Sequence, residues 1–156
     1  MIRRGLFFLF CLPFLNCETT PKKVATQPIQ FKKEAELILY NQQKDSIAKL
    51  DIELATTDYE RQTGMMYRRE MLPQQGMLFV FQSAEPRAFY MKNTYISLDI
   101  LFVNEEQEIF QIVEKAPPKS LTNISSTAPA KYVLELLGGQ AEKLQIQEGY
   151  SIKWTP

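Results

Sequence analysis

The sequence predicts a mostly β fold, a compact sandwich or distorted barrel with one or two short helices. Three observations predict it. Short apolar or alternating runs at residues 50–54, 77–81, 98–103 and 109–113 recur between turn signals. Helical patterning is confined to brief stretches near 58–63 and 141–144. The 156 residues are 45% hydrophobic and 23% charged, enough for one ordinary packed domain.

The chain opens with Arg3 and Arg4 followed by an apolar run from Leu6 to Leu15. That run is about ten residues long, which suits a secretory signal and falls short of the ~20 apolar residues of a membrane-spanning helix. Asn16 and Cys17 follow, then polar residues. This junction resembles the lipobox of bacterial lipoproteins, in which the cysteine is diacylated and becomes the mature N-terminus. Asn16 stands where that motif usually has Gly, Ala or Ser. Cys11 is the poorer candidate, since it would cut the apolar run short, and no cysteine follows Cys17 to form a disulfide. The reading is therefore a signal peptide over 1–16, a lipid-attachment cysteine and flexible linker over 17–35, and a single domain over 36–156. It implies export and tethering to a bacterial membrane, on its periplasmic or cell-surface side, with two acyl chains giving a stable anchor.

Within the domain, Leu50, Ile52 and Leu54 alternate with Lys49, Asp51 and Glu53, a period of two that marks a strand with one wet face. Thr57 and Glu60 have the spacing of a capping box and Gly64 is a natural stop, so 58–63 reads as a short helix. Gly76 opens a continuous apolar run, Met77 to Phe81, best read as an interior strand. Residues 88–91 and 98–103 are further strands, 104–107 a polar turn, and 109–113 the returning hairpin arm. Pro117 and Pro118 break the chain before a Ser/Thr-rich loop ending at Pro129. The run 132–137 is ambiguous between strand and helix; Gly138 and Gly139 end it. Residues 150–154 close with strand alternation.

Composition excludes several chemistries. Eighteen basic side chains balance eighteen acidic ones, so no phosphate-binding excess points to nucleic acid. Histidine is absent, which removes His-based triads and the commonest zinc ligand. No metal or other cofactor is expected.

The blocks Gly64 to Arg69, Gly76 to Phe81, Tyr90 to Val103 and Lys131 to Gly139 closely resemble the bacterial and archaeal family called domain of unknown function 192. Its pattern runs Gly-Leu-Met-x-Arg, Gly-Met-Leu-Phe-x-Phe, Trp-Met-Lys-Asn-Thr-x-x-Pro-Leu-Asp-x-x-Phe and Leu-Glu-x-x-x-Gly. The likeness spans about 47–154. Tyr90 stands where the family usually has Trp, and Ser97 where Pro is common. The resemblance implies a jelly-roll-like, often exported domain and no established activity.

If 98–103 is a strand, Asp99 shares a face with Leu101 and Val103, while Leu98, Ile100 and Phe102 share the other. Both faces are apolar, so Asp99 needs a partner. Lys92 is the nearest cation in its block, and Arg68 is the second candidate because its fork holds a carboxylate bidentately. One reading is a buried network that fixes loops to the sandwich. The sharper one is a pocket of Arg68, Lys92, Asn93, Thr94 and Asp99, rimmed by Tyr67, Phe89 and Tyr90, that binds a small anionic or hydroxylated ligand.

A catalytic reading is weaker, and no residue is assigned a catalytic role. Lys92 held by Asp99 is a generic base. Ser97 and Lys92 lack a Ser-x-x-Lys helix. Asp99 and Glu135 are the acids in strongly apolar surroundings, but nothing in the sequence brings them together. Met65, Met66, Met71, Met77 and Met91 could offer thioethers to Cu(I), but such residues more often fill irregular cores. Glu105, Glu106 and Glu108 fit a charged hairpin tip better than a calcium loop. Asn123-Ile124-Ser125 matches a glycosylation acceptor only by chance. The leading expectation is a non-catalytic, ligand-binding envelope domain. The alternatives are an envelope hydrolase acting on sugar or cell-wall material, and a protein-interaction module.

Overall fold

The computed structural model describes residues 29–155; the proposed signal peptide and Cys17 lie outside them. Nine strands and two short helices follow one another: β1 (Ala35–Tyr40), β2 (Ser46–Ala55), α1 (Asp58–Thr63), β3 (Gln75–Glu85), β4 (Ala88–Phe89), β5 (Leu98–Val103), β6 (Ile109–Ala116), β7 (Ile124–Ser125), β8 (Ala130–Leu137), α2 (Gln140–Lys143) and β9 (Ser151–Thr155). Seven strands form one sheet in the order β6-β5-β8-β3-β2-β1-β9; β4 and β7 pair separately. Neighbours are antiparallel except β2 and β3, which run parallel with α1 in the crossover. The sheet curls without closing along its length. At one end its outer edges meet, through a Glu108–Ser151 bridge and an Ile109 N–H to Tyr150 carbonyl bond of 2.8 Å. The expected mostly β, barrel-like class is what the chain adopts.

Local signals explain several elements. Thr57 accepts from the Glu60 N–H at 3.2 Å while the Glu60 carboxylate accepts from the Thr57 N–H at 2.8 Å, a complete capping box. Gly64 ends α1 at φ 45°, and a Cβ there would sit 2.9 Å from the Phe79 ring. The ambiguous run at 132–137 lies in β8, a strand buried on both faces because it is flanked by β3 and β5 at the middle of the sheet. Two strands were not anticipated. Within the proline-bounded loop, β7 is only two residues long. Ahead of the expected domain start, β1 begins at Ala35, and the Lys32 N–H already donates to Glu53 at 2.6 Å. Residues 32–35 of the expected linker therefore run along β2.

Directly paired residues point to the same side of a sheet. Glu53, Met77, Glu135 and Ile100 make one cross-strand row, and Ile52, Gly76, Leu136 and Asp99 make the adjacent one facing the opposite way. The inner face packs Leu37, Leu50, Ile52, Leu78, Leu101, Leu134 and Ile152 into the barrel core. The outer face carries Phe79, Ile100, Phe102 and Val133, covered by Met65, Met71 and Met91 from loops. Met77 lies in that same cluster, so these four methionines fill the space between sheet and loops. The split of β5 into Leu98, Ile100 and Phe102 against Asp99, Leu101 and Val103 matches the alternation expected from sequence.

Asp99 is completely buried on the inner face, and its partners differ from those expected. Its Oδ1 accepts from the N–H groups of Lys115 at 2.7 Å and Gly139 at 3.0 Å, and Oδ2 from Ala141 at 2.7 Å. A register shift in β6 accompanies Lys115, whose φ is 51°, beside the point where its N–H meets Asp99. Gly139 caps α2 without a side chain of its own, so Asp99 supplies the cap from a different strand. Lys92 is exposed, and Arg68 pairs with Glu53 from the outer face. The anticipated ion pair is thus replaced by three main-chain donors, because the sheet itself stands between Asp99 and both cations.

Charge-assisted bonds to N–H groups contribute about 1.5–3 kcal/mol each. Asp99→Asn, which sets an amide donor against these N–H groups, should cost about 3 kcal/mol or more in urea denaturation. Lys92→Met should stay within about 0.5 kcal/mol of wild type, and the double variant should be additive.

Candidate ligand-binding cleft

Where the end of α1, β3 and β4 converge over β8, the outer-face cover leaves a cleft of about 340 Å³. Phe79 and Phe89 line it, meeting edge to face at 5.0 Å, and Phe89 continues to Phe102 at 6.0 Å. Such aromatic pairs add about 0.5–1.5 kcal/mol beyond their burial, so this wall is firmly set. Met65, Tyr90 and the buried Thr94 complete the lining near Glu135.

Glu135 is 5% exposed, and its Oε2 is buried with no hydrogen-bond partner. Burial strips the carboxylate of water and pushes its pKa up to about 8, against a smaller opposing pull from the Arg68 charge. At neutral pH the group therefore holds its proton, and it can both donate and accept a hydrogen bond. An unpartnered polar oxygen costs about 1–3 kcal/mol, a deficit that a bound hydroxyl would relieve.

Two arginines stand beside the aromatic Phe81 at the mouth. The Arg87 guanidinium lies 3.8 Å from the Phe81 ring centroid and that of Arg61 5.6 Å. Carbonyls and carboxylates hold both: Arg87 donates to the Ser83 carbonyl at 2.5 Å and lies 3.6 Å from Glu85 Oε2, while Arg61 donates to the Thr56 and Val80 carbonyls and pairs with Asp58 Oδ1 at 2.5 Å. Burial moves the Arg87 pKa below its ordinary value.

The residues proposed from sequence divide between places. Phe89, Tyr90 and Thr94 line the cleft with Glu135. Arg68 lies in a neighbouring depression of about 370 Å³ with Glu53, Glu34 and Lys32, its Nη2 2.5 Å from Glu53 Oε2. Asn93 donates to the Tyr67 hydroxyl at 2.9 Å, and its carbonyl accepts from the Tyr67 N–H at 2.8 Å. That pair fastens two loops in which Tyr67 and Asn93 both adopt positive φ. Lys92 is exposed and Asp99 is on the inner face. Glu135 stands in the sequence as an acid in apolar surroundings with no site attached to it, and Arg61, Phe81 and Arg87 carry no sequence signal of a role.

The fold and cleft define a small β-barrel-like domain with a neutral acid set against an aromatic wall. The family model described as Uncharacterized ACR, DUF192, matches residues 39–154, and the chain belongs to that family. Two solved structures are similar. One, a proposed transcription regulator from Sinorhizobium meliloti 1021, is 36% identical with a TM-score of 0.75, covering 80% of this chain and 97% of its own. The other, a protein of unknown function from Novosphingobium aromaticivorans DSM 12444, is 31% identical with a TM-score of 0.72, covering 76% and 84%. No curated protein matches the chain.

The raised pKa of Glu135 has a definite sign in stability. Between about pH 4.5 and 8 the folded chain keeps a proton that the unfolded chain has lost, so stability falls as pH rises through that window. Glu36 and Glu60, held down to about 2 by their hydrogen bonds, titrate below it. Denaturation midpoints across the window should decline for wild type, with the Glu135-dependent part of the slope absent from Glu135→Gln. An equal slope in both would contradict a protonated Glu135.

Proposed function

We propose that this chain is a non-catalytic binding protein of the bacterial envelope, holding a small hydroxylated ligand in the Glu135 cleft. Glu135 carries the reading, because it lines the cleft while its buried Oε2 has no hydrogen-bond partner. A neutral carboxyl and the Thr94 side chain offer hydrogen bonds to hydroxyl groups, and the Phe79 and Phe89 rings offer an apolar wall. At the mouth, Arg61 and Arg87 are already paired with Asp58 and Glu85, so recognition of the ligand falls to its hydroxyl groups.

Glu135 is the sole acid lining the cleft among the described residues. A two-carboxylate glycosidase needs a second one across the scissile bond. Glu53, on the same face of the sheet, opens to the neighbouring depression and is engaged by Arg68. Binding is therefore favoured over hydrolysis. The regulator description of the Sinorhizobium protein is not carried to this chain, whose cations and acids balance. Export and lipid attachment at Cys17 belong to the same proposal and rest on the leader sequence.

A thermal-shift panel of monosaccharides, polyols and sugar acids tests the binding. Ligand at a hundred times its Kd stabilises by about 2.7 kcal/mol, a shift of several degrees in Tm. Wild type should respond to at least one compound, while Glu135→Leu should stay folded and lose the response. A panel without effect, or an equal response in the variant, would contradict the proposal.

A further inference from the structure

Three loops over the outer face are stitched together by their main chains. The Tyr67 N–H donates to the Asn93 carbonyl at 2.8 Å, Met91 to Ser120 at 3.0 Å and Lys119 to Thr94 at 3.0 Å. Residues 64–72, 90–97 and 117–122 hold four cations, Arg68, Arg69, Lys92 and Lys119, against one acid, Glu70. Arg68 is engaged by Glu53. None of Arg69, Lys92 and Lys119 forms an ion pair among the described residues. Arg69 and Lys119 instead converge on one ring, 4.9 and 5.1 Å from the centroid of Tyr95. Two like charges gathered this way favour an anion nearby.

Exposed apolar side chains concentrate on the same face. Among the described residues the large ones are Ile29, Tyr59, Tyr67, Leu72, Tyr90 and Leu121, and all but Tyr59 lie on these loops or against them. Ile29 shares a hollow with Arg68, Glu70 and Leu72, so the described chain begins beside the loop that carries Tyr67 and Arg69.

We propose that this face docks on a bilayer containing anionic phospholipid. Tyrosine rings suit the headgroup level, an exposed leucine suits the acyl boundary, and basic side chains suit a negative surface potential. The combination favours a lipid surface over a folded partner, whose recognition would need complementary acids at fixed positions. The inference rests on the lipid-anchor reading for delivery. The eleven residues between Cys17 and Ile29 span at most ~40 Å, which keeps the face within reach of the membrane.

Sedimentation of the full chain bearing Cys17→Ser, with vesicles of phosphatidylcholine alone or mixed with phosphatidylglycerol, tests the docking. The leader, with its apolar run and with Arg3 and Arg4, contributes equally in every variant; the face should add a further preference for the anionic vesicles that weakens with salt. Each basic residue near such a surface is worth roughly fivefold in partition, so R69Q/K92Q/K119Q should lose on the order of a hundredfold of that preference. K143Q/K153Q, away from the face, should keep the preference, and melting curves should show all variants folded. No anionic preference in wild type, or an undiminished one in the triple variant, would overturn the proposal. So would retention by duplex DNA without vesicle binding. Fatty-acid labelling at Cys17 reads the anchor separately: an unlabelled chain with a lipid-selective face overturns the anchor alone, and a labelled chain without selectivity overturns the docking surface alone.

Discussion

The structure depends on one carboxylate that main-chain N–H groups hold inside the barrel. Asp99 joins the start of β5 to the irregular part of β6 and to the start of α2, places where the sheet offers no ladder partner. Without an acceptor there, the buried Ala141 N–H would be left unpaired at a cost of about 1–3 kcal/mol, and the part-buried N–H groups of Lys115 and Gly139 would lose their partner. A four-residue helix capped by glycine persists because an acid from another strand completes it. The same contact fixes how β8 turns after Leu137, and so fixes the strand that carries Glu135.

Asp99 and Glu135 show how environment separates two buried acids of similar chemistry. They lie on opposite faces of adjacent strands, Asp99 opposite Leu136 and Glu135 opposite Ile100. One has both oxygens taken up by three main-chain donors. The other has an unpartnered oxygen and apolar neighbours, which favours a proton. A fully satisfied acid is architecture, whereas a neutral, unsatisfied acid on a cleft floor has hydrogen-bonding capacity left for a visitor. The outer face can host such a cleft because loops and methionines cover it, while the inner face is closed by strands.

Local signals in the chain were legible where neighbours in sequence are also partners in space. Thr57, Glu60 and Gly64 announced α1, and the alternation in β5 correctly assigned its two faces. The membership of the family was legible in the Met-Lys-Asn-Thr and Leu-Asp block. The partner of Asp99 was not, because a backbone N–H carries no side-chain identity. Nor does spacing reveal that residues 90–97 fold over the outer face while Asp99 turns inward. Glu135 stood out as an acid between apolar residues, yet only the arrangement of β3, β4 and α1 around it makes a cleft. Arg61 and Arg87 read as ordinary surface charges until Phe81 is seen beside them.

Direct titration of the Glu135 carboxyl carbon by NMR tests the central claim, that a neutral acid forms the floor of the cleft. The resonance should remain in the protonated position at neutral pH and move with a midpoint near 8. A midpoint near the ordinary carboxylate value of 4.5 would show the group ionised and already partnered, and would contradict the site as described.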